Sequence, residues 1–419
     1  MRTPQHSPFS PGFDTIPDVW AGRVPELSDW RDVVRPRRLS GTPERGRTIL
    51  GEPGMGKSSL VRRIARHAEK EGDWVTPQLR IALGADPIKM LATALLRLAS
   101  QAGLASAREK RVADLMGRVE SVSVGPASLG LPPAEGALPH EALRDLLIEI
   151  GRAARQRGNT MVLIHLDEIQ NIEDDAALSQ LLIALGDALV YEEEYEAPGG
   201  AFFSEALPLA VYLTGLPEFD ERAGASRGAT FVRRFRTITL KPLEADDLRL
   251  ALDPFTRSGW KMLTHDGAVS SIRMAPEARD MIVGMSAGDP FLFQLAGERA
   301  WYAGSGDVIT ADDAARGWET AKGEAEDHVA RVLERLAPKE REFIEIMAEL
   351  DPSDRSMTRI ARQAGYAKAT TVGPLARRLD EKRGLIVRGK PVYRFRHRAI
   401  EAYLTTDWPN LPESNEPSS

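Results

Sequence analysis

Short apolar runs alternate with longer amphipathic segments over the first half of the chain. The apolar runs, which predict buried strands, are 48–50, 79–83, 161–166 and 209–213, with a further strand within 231–240. The segments between them, which have the spacing of helices, are 57–70, 88–100, 140–157 and 176–190. Strands that alternate with helices in this way predict a doubly wound parallel sheet of the α/β class.

Several segments of this first half lack both patterns. Residues 1–18 contain four prolines and little periodicity, so we expect an extended or disordered arm. A short helix is expected over 19–34, followed by a polar connector. Residues 119–139 are rich in Gly, Pro and Ser and indicate an irregular insertion, and the acidic stretch Glu192–Glu194 before Pro198 indicates a solvated loop.

The strand pattern ends near residue 242, and helical spacing dominates from Leu243 to about Lys322. Asp289 followed by Pro290 predicts a helix start, with Asp as the N-cap. The pattern of about residues 323–405 predicts three helices followed by a β-hairpin. We therefore predict a flexible arm, an α/β core, a helical lid, a C-terminal module and a disordered tail, with the boundaries 1–18, 19–242, 243–322, 323–408 and 409–419.

Composition excludes several classes of protein. The 419 residues include no cysteine, which excludes disulfides, thiolate zinc sites, iron–sulfur clusters and a cysteine nucleophile. No apolar run approaches the roughly 20 residues that a membrane span needs, and the first ten residues lack a signal-peptide core. We expect a soluble, cytoplasmic protein with no membrane partner.

Residues 51–58 follow the first predicted strand and have the pattern G-x-x-x-x-G-K-[ST]. Glycines let the backbone turn its N–H groups toward phosphate oxygens, and the following helix directs its positive end at the same anion. Lys57 supplies a charge for the β- and γ-phosphates, and the Ser58 hydroxyl is a ligand for Mg²⁺. The expected nucleotide-binding residues here are Gly51, Glu52, Pro53, Gly54, Met55, Gly56, Lys57, Ser58 and Ser59.

A second acidic element follows the apolar strand 161–166. Asp167 and Glu168 stand at its carboxyl end, where open α/β sheets bind ligands. We expect Asp167 to hold Mg²⁺ through a water and Glu168 to accept a proton from the attacking water. His165, inside the apolar strand, reads as a satisfied core residue rather than a ligand.

These two elements make the chain resemble P-loop ATPases of the AAA+/STAND type, near the archaeal-type initiator (origin-recognition) clade, over about residues 18–405. Gly22 and Arg23, with Glu26 and Leu27 after them, resemble the box that lines the adenine pocket in that clade. Thr214 resembles the polar tip of the strand that senses the γ-phosphate, with Thr in place of the commoner Asn. The resemblance implies ATP and Mg²⁺ as cofactors, ATP hydrolysis and a homo-oligomer in the ATP state.

Two further features follow from the resemblance. Arg233 and Arg234 match the segment that carries an arginine finger, and the pattern does not choose between them. In the lid, Phe291 stands where initiator-like members have an arginine. Gly288-Asp289-Pro290 instead resembles the STAND lid motif, whose proline, here Pro290, packs on the base, which favours a slow switch between nucleotide states.

The C-terminal module resembles a winged helix. Helices are expected over 357–366 and from Thr370 to about Arg383, followed by strands at 385–387 and 392–396. Residues 355–400 contain 13 basic and two acidic residues, a net charge of +11, whereas the whole chain has a net charge of −6. Such asymmetry indicates a polyanion-binding module, although winged helices that bind protein remain an alternative. The expected DNA contacts are Thr370, Thr371, Arg377, Arg378, Arg388, Lys390, Arg394 and Arg396.

The sequence thus favours an ATP-dependent molecular switch that binds duplex DNA, as in replication initiation, transposition or mobile-element and defence systems. The alternative is a STAND-type signalling regulator in which nucleotide exchange gates oligomerisation. A transcription factor with a decayed ATPase is disfavoured because Lys57, Ser58, Asp167 and Glu168 are all present.

Overall fold

The computed structural model describes residues 2–12, 15–102, 139–196, 199–225, 233–263, 269–389 and 391–410. Most of the predicted irregular insertion and nearly all of the predicted disordered tail lie outside these residues. The chain forms two compact units. One comprises residues 23–50 and 60–238, and the other comprises residues 1–22, 51–59 and 239–419.

The unit of residues 23–50 and 60–238 is built on a parallel sheet. Its strands are β1 (Gly46–Leu50), β2 (Trp74–Val75), β3 (Leu79–Arg80), β4 (Val162–Asp167), β7 (Leu209–Gly215) and β8 (Phe235–Thr239). Their order is β2-β4-β7-β1-β8, and β3 also pairs with β4. The helices that alternate with these strands are Lys57–Lys70, Pro87–Gln101, Pro139–Gln156, Asp175–Val190 and Glu218–Ala225. The predicted α/β class is confirmed.

Burial explains why the central strands lack a polar face. Every residue of β1, β4 and β7 is buried, as expected for strands that are covered on both sides. Leu166 of β4 is paired with Leu213 of β7, and Leu50 of β1 with Gly215 of β7, all in parallel. The carboxyl ends of these three strands therefore lie side by side at one edge of the sheet.

Two segments of this unit differ from the sequence-based expectation. The predicted acidic loop is a β-hairpin of β5 (Glu192–Glu196) and β6 (Phe202–Ala206), in which Tyr195 stacks on Phe203 and Arg155 lies over the Tyr195 ring. The charge pattern was misleading because the exposed residues Glu192, Glu194 and Glu196 alternate with the partly buried residues Glu193 and Tyr195, which is the pattern of a strand. The expected connector after residue 34 begins with a helical turn, Arg35–Leu39.

The other unit is mainly helical. Its longer helices are Ala245–Arg257, Pro276–Ser286, Pro290–Tyr302, Ala311–Glu334 and Pro338–Glu349. It also contains a small sheet, where we expected only helices. Its strands are β9 (Trp260–Leu263), β10 (Val269–Met274) and β11 (Val308–Ile309). These strands were missed because their exposed positions leave little apolar pattern.

The N-terminal segment packs against these helices, contrary to the expectation of a free arm. Phe9 is buried and stacks on Phe255 with ring centroids 5.8 Å apart. Arg2 forms a buried ion pair with Asp313 at 2.8 Å. The proline content was a poor guide because single anchors such as Phe9 and Arg2 hold an otherwise irregular segment.

The C-terminal part contains the predicted order of elements. Helix Met357–Gln363 is followed by helical turns over Ala369–Val372, Gly373–Arg377 and Arg378–Lys382. The antiparallel pair β12 (Ile386–Val387) and β13 (Arg394–Phe395) and the helix Arg398–Thr405 come next. The expected boundary at residues 322 and 323 falls within the continuous helix Ala311–Glu334. Among the described residues, no helix is both long enough and apolar enough to cross a bilayer.

Candidate nucleotide site

The phosphate loop connects β1 to the helix Lys57–Lys70. Gly54 and Gly56 have φ angles of +82° and +76°, a left-handed conformation that glycine adopts without strain. The Lys57 ammonium group is buried and donates hydrogen bonds to the carbonyl oxygens of Gly51 at 2.9 Å and Glu52 at 3.0 Å. The lysine thus lies within its own loop, and Ser58 and Ser59 stand half-buried in the first turn of the helix.

Gly54 also has a steric role. A Cβ atom at this position would overlap the His328 ring and would lie 3.1 Å from the Cβ of Phe291. The rings of Phe291 and His328 are in contact, with centroids 4.5 Å apart and planes tilted by 32°. The loop therefore packs against two side chains from the helical part of the same unit, and only glycine allows that approach.

A buried network of charges fixes the second residue of the loop. Arg383 Nη1 lies 3.0 Å from Glu52 Oε1, and Arg383 Nη2 lies 3.3 Å from Glu340 Oε2. Arg378 pairs with Glu340 at 2.9 Å. The side chains of Glu52, Arg383 and Glu340 are at most 3% exposed, so these charges have left water and depend on one another. Arg383, at the expected end of the second helix of the C-terminal module, is thus a partner of the phosphate loop, and Arg378, an expected DNA contact, is paired with Glu340.

Asp289 caps the helix Pro290–Tyr302 as predicted and also contacts two histidines. Its Oδ1 accepts hydrogen bonds from the backbone N–H groups of Phe291 and Leu292. Its Oδ2 lies 2.9 Å from His328 Nε2 and 3.4 Å from His397 Nε2. Burial would raise the pKa of Asp289, but the hydrogen-bonded His328 and the nearby His397 outweigh it and hold that pKa well below its usual range.

The acidic end of β4 lies in the other unit. Asp167 is 1% exposed, and its Oδ1 accepts hydrogen bonds from the Thr214 hydroxyl and, at 3.0 Å, from the backbone N–H of Glu168. Thr214 also lies 3.1 Å from His165 Nε2. Burial lowers the pKa of His165 to about 4, so the imidazole is neutral at pH 7. The structure thus brings together Asp167 and Thr214, and adds His165.

Glu168 has a backbone conformation that is unusual for its residue type. Its φ angle is +59°, and its carboxylate accepts a hydrogen bond from the Gln170 side chain. Left-handed backbone at a non-glycine residue is a strained conformation that is frequent at active sites. Unlike Asp167, the Glu168 side chain is only half-buried, so solvent can reach it.

Sequence reasoning missed a polar group around Asp167. The Gln78 side chain donates to Asp167 Oδ2 and accepts from Arg62, and Arg80 Nη2 lies 3.9 Å from the same Oδ2. The signal that could have found Arg80 was its parallel pairing with Asp167 across β3 and β4. That register is a tertiary property, which the apolar pattern of 79–83 does not contain.

Gly22 and Pro290 lie in the mainly helical unit, where Gly22 has a φ angle of +59°. A Cβ at Gly22 would lie 2.8 Å from Leu243, so a larger residue would displace its neighbours. Pro290 occupies the first turn of the helix that Asp289 caps. Arg23, in the other unit, also has a left-handed backbone, with φ of +61°.

The two candidate finger arginines differ. Arg234 forms an ion pair with Asp187 and packs closely on Gly186 of the helix Asp175–Val190. Arg233 is exposed, and within the described parts of the chain no ion pair to it is found. Of the two, Arg233 is therefore the more accessible side chain.

The residues expected to contact DNA also divide into those with an ion-pair partner in the structure and those that are exposed. Arg377 pairs with Glu381, Arg388 with Asp380 and Glu381, and Arg396 with Asp380. Arg394 is exposed on β13, and Lys390 lies outside the described residues. Thr370 and Thr371 are exposed within the turn Ala369–Val372. Part of the module's positive charge is thus already neutralised within the module.

Comparison with known proteins agrees with this geometry. Residues 19–191 match the family model described as AAA ATPase domain. The chain shares its fold with the Walker-type ATPase PABY2304 of Pyrococcus abyssi, at 16% identity, 92% and 96% coverage of the two chains and a TM-score of 0.53. It is similar in the same way to the ORC2 protein of Aeropyrum pernix, solved as ADPNP–ADP complexes, at 16% identity, 91% and 93% coverage and a TM-score of 0.50. No curated protein matches the sequence.

The family match spans the phosphate loop and the end of β4, and it stops before Thr214, the arginine pair and the C-terminal module. It thus includes residues 51–58 and the pair Asp167 and Glu168, from which we inferred a nucleotide site. Residues 19–191 match the AAA ATPase domain, and the chain has the fold of a P-loop ATPase.

Proposed function

We propose that the chain is an ATP-dependent molecular switch that binds duplex DNA through residues 355–400. The observation that supports this most directly is the buried ion pair between Glu52 of the phosphate loop and Arg383 of that basic segment. A nucleotide that enters the loop brings negative charge close to this pair and so changes its energy. The nucleotide state is thereby coupled to the segment that would bind DNA.

The hydrolytic roles follow from the chemistry of the side chains. Lys57 would bind the β- and γ-phosphates, and Glu168 would accept the proton of the attacking water. Ser58 and Asp167 present the hard oxygen ligands that Mg²⁺ prefers, and each is a proposed ligand. When bound, Mg²⁺ would neutralise phosphate charge. Arg233 of a neighbouring copy would stabilise the charge that develops on the transferred phosphoryl group.

We propose further that residues 355–400 are a winged helix whose exposed cations contact DNA phosphates. Five basic side chains there are exposed and have no ion-pair partner among the described residues: Arg359, Arg362, Lys368, Arg394 and Arg398. Such side chains release counterions when they meet phosphates, so binding weakens steeply with salt. If six phosphates are neutralised, the logarithm of affinity falls with that of salt concentration with a slope of about −5.

The test measures coupling rather than either binding event alone. DNA affinity is compared with and without ATP, and ATP affinity with and without DNA, which must change by the same factor. We expect Arg383→Gln to abolish this factor, whereas Arg377→Gln, which removes an exposed ion pair, should leave it unchanged. The double variant Glu52→Gln/Arg383→Gln replaces the pair with neutral groups and controls for a folding defect. Unchanged coupling in both variants would contradict the proposal.

The second candidate is a signalling regulator in which nucleotide exchange gates oligomerisation. Two features favour it: the buried pair of Glu52 with Arg383 beside the phosphate loop, and the Pro290 motif. Both suit slow nucleotide exchange better than rapid ATP turnover. ATP turnover that is stimulated by duplex DNA supports the switch. Ligand-triggered assembly without turnover, and without retention on DNA, supports the regulator.

A further inference from the structure

A buried histidine stands on the strand that ends in the proposed Mg²⁺ ligand. His165 and Asp167 are two residues apart on β4, so their side chains point to the same face. Thr214 comes from the neighbouring strand β7, whose Tyr212 is paired with His165. The side chains of His165, Asp167 and Thr214 are at most 2% exposed.

The direction of the hydrogen bonds follows from the donors available. The Thr214 hydroxyl has one proton, and a carboxylate only accepts, so Thr214 donates to Asp167 Oδ1. Thr214 Oγ1 must then accept the hydrogen bond from His165 Nε2, which lies 3.1 Å away. The contact therefore requires a proton on His165 Nε2.

A chain of hydrogen bonds therefore runs from His165 through Thr214 to Asp167. It fixes one oxygen of the carboxylate, Oδ1, which also accepts from the Glu168 backbone N–H. The other oxygen, Oδ2, faces the polar side chains of Gln78 and Arg80. An apolar residue would fill the buried position of His165 without the cost of burying a polar ring, so the imidazole needs a reason to be there.

We propose that His165 is a positioning residue that orients the Asp167 carboxylate through the Thr214 hydroxyl. Thr214 then acts on Asp167 through its single hydroxyl proton. The inference rests on the proposed role of Asp167 in holding Mg²⁺. Groups that orient a metal ligand in this way typically change metal affinity or activity by about 10- to 100-fold when removed.

The kinetic test compares two variants of one position. His165→Gln keeps an N–H donor near the place of Nε2, whereas His165→Leu removes it. We expect His165→Leu to raise the Mg²⁺ concentration for half-maximal ATPase activity and to lower kcat, each by about tenfold. ATP binding without Mg²⁺ should change less than twofold, and His165→Gln should recover most of the activity, by about threefold or better relative to His165→Leu. Tyr212→Phe, which removes a neighbouring buried hydroxyl, is the matched control.

The outcomes separate this inference from the proposed function. If His165→Leu and His165→Gln behave alike, or only the melting temperature changes, His165 has a structural role and the inference fails. If the wild-type chain does not turn over ATP, the proposed function fails. The inference is then tested by the position of the proton on the His165 ring. ¹⁵N NMR of histidine-labelled protein should show the His165 proton on Nε2 and a shifted signal in Thr214→Val. A proton on Nδ1, or an unshifted signal, would overturn it.

Discussion

The phosphate loop and the paired ends of β4 and β7 are stabilised by different kinds of contact. The loop depends on charged and aromatic side chains distant in sequence, with Glu52 and its partner Arg383 separated by 331 positions. Asp167 depends on hydrogen bonds from adjacent strands of one sheet. The energy of the loop therefore depends on where the C-terminal segment lies, whereas the strand ends depend on contacts within their own sheet.

The largest expected effect comes from the loop itself. We expect Lys57→Ala to weaken ATP binding by about 100-fold or more, because it removes a buried ammonium group that would meet the β- and γ-phosphates. Lys70→Ala, an exposed change at the end of the same helix, is the control. Equilibrium binding of a fluorescent ATP analogue measures both. Tight binding by Lys57→Ala would refute the assignment of this loop to phosphate.

The strand ends should respond in rate rather than in binding. We expect Glu168→Gln to slow ATP turnover by about 100-fold, the typical contribution of a general base, while ATP stays bound. Glu173→Gln changes an exposed carboxylate nearby and should have no effect. Single-turnover hydrolysis and nucleotide binding are measured on the same samples. If turnover is unchanged, Glu168 is not the base.

The buried Asp289, which contacts the histidine that lies against Gly54, tests how strongly the loop surroundings contribute to folding. Asp289→Asn leaves two buried histidines without their carboxylate and should cost about 3 kcal/mol of unfolding free energy at pH 7. The pKa of Asp289 is depressed in the folded state, so its contribution is complete above the unfolded pKa, about 4, and is lost as the pH falls. The stability difference between wild type and variant should therefore shrink from pH 5 toward pH 2. Urea unfolding across this range checks it, and a constant difference would contradict it.

The smallest expected effects concern single cations of the basic module. Arg394→Ala should weaken duplex DNA binding severalfold and reduce the salt slope by about one. Arg396→Ala should have a smaller effect, because Arg396 is already paired with Asp380 at 2.8 Å. Titration of duplex DNA at several salt concentrations compares the two. Equal effects would show that intramolecular pairing does not sort the DNA contacts, and no effect from either would favour protein partners.

Local signals in the sequence predicted the elements whose residues determine their own structure. The helix Lys57–Lys70, the strand that ends at Asp167 and the capping of Pro290–Tyr302 by Asp289 were all predicted to within a residue or two. The hairpin β5–β6, the sheet β9–β11 and the packed N-terminal segment were not, because their stability comes from partners distant in the chain. A half-exposed strand with charged residues resembles a loop until its partner is known.

The sequence by itself determined the chemistry that is available: a phosphate loop, an acidic strand end and a basic C-terminal module. Only the tertiary structure decided which of those groups meet. Arg383 is one of 13 basic residues in its segment, and nothing local distinguishes it from Arg377. Burial makes the difference, because a charge removed from water must find an opposite charge or hydrogen-bond partners, and folding alone brings Glu52 and Glu340 to it. His165 likewise reads as core until the register of two strands places Thr214 beside it.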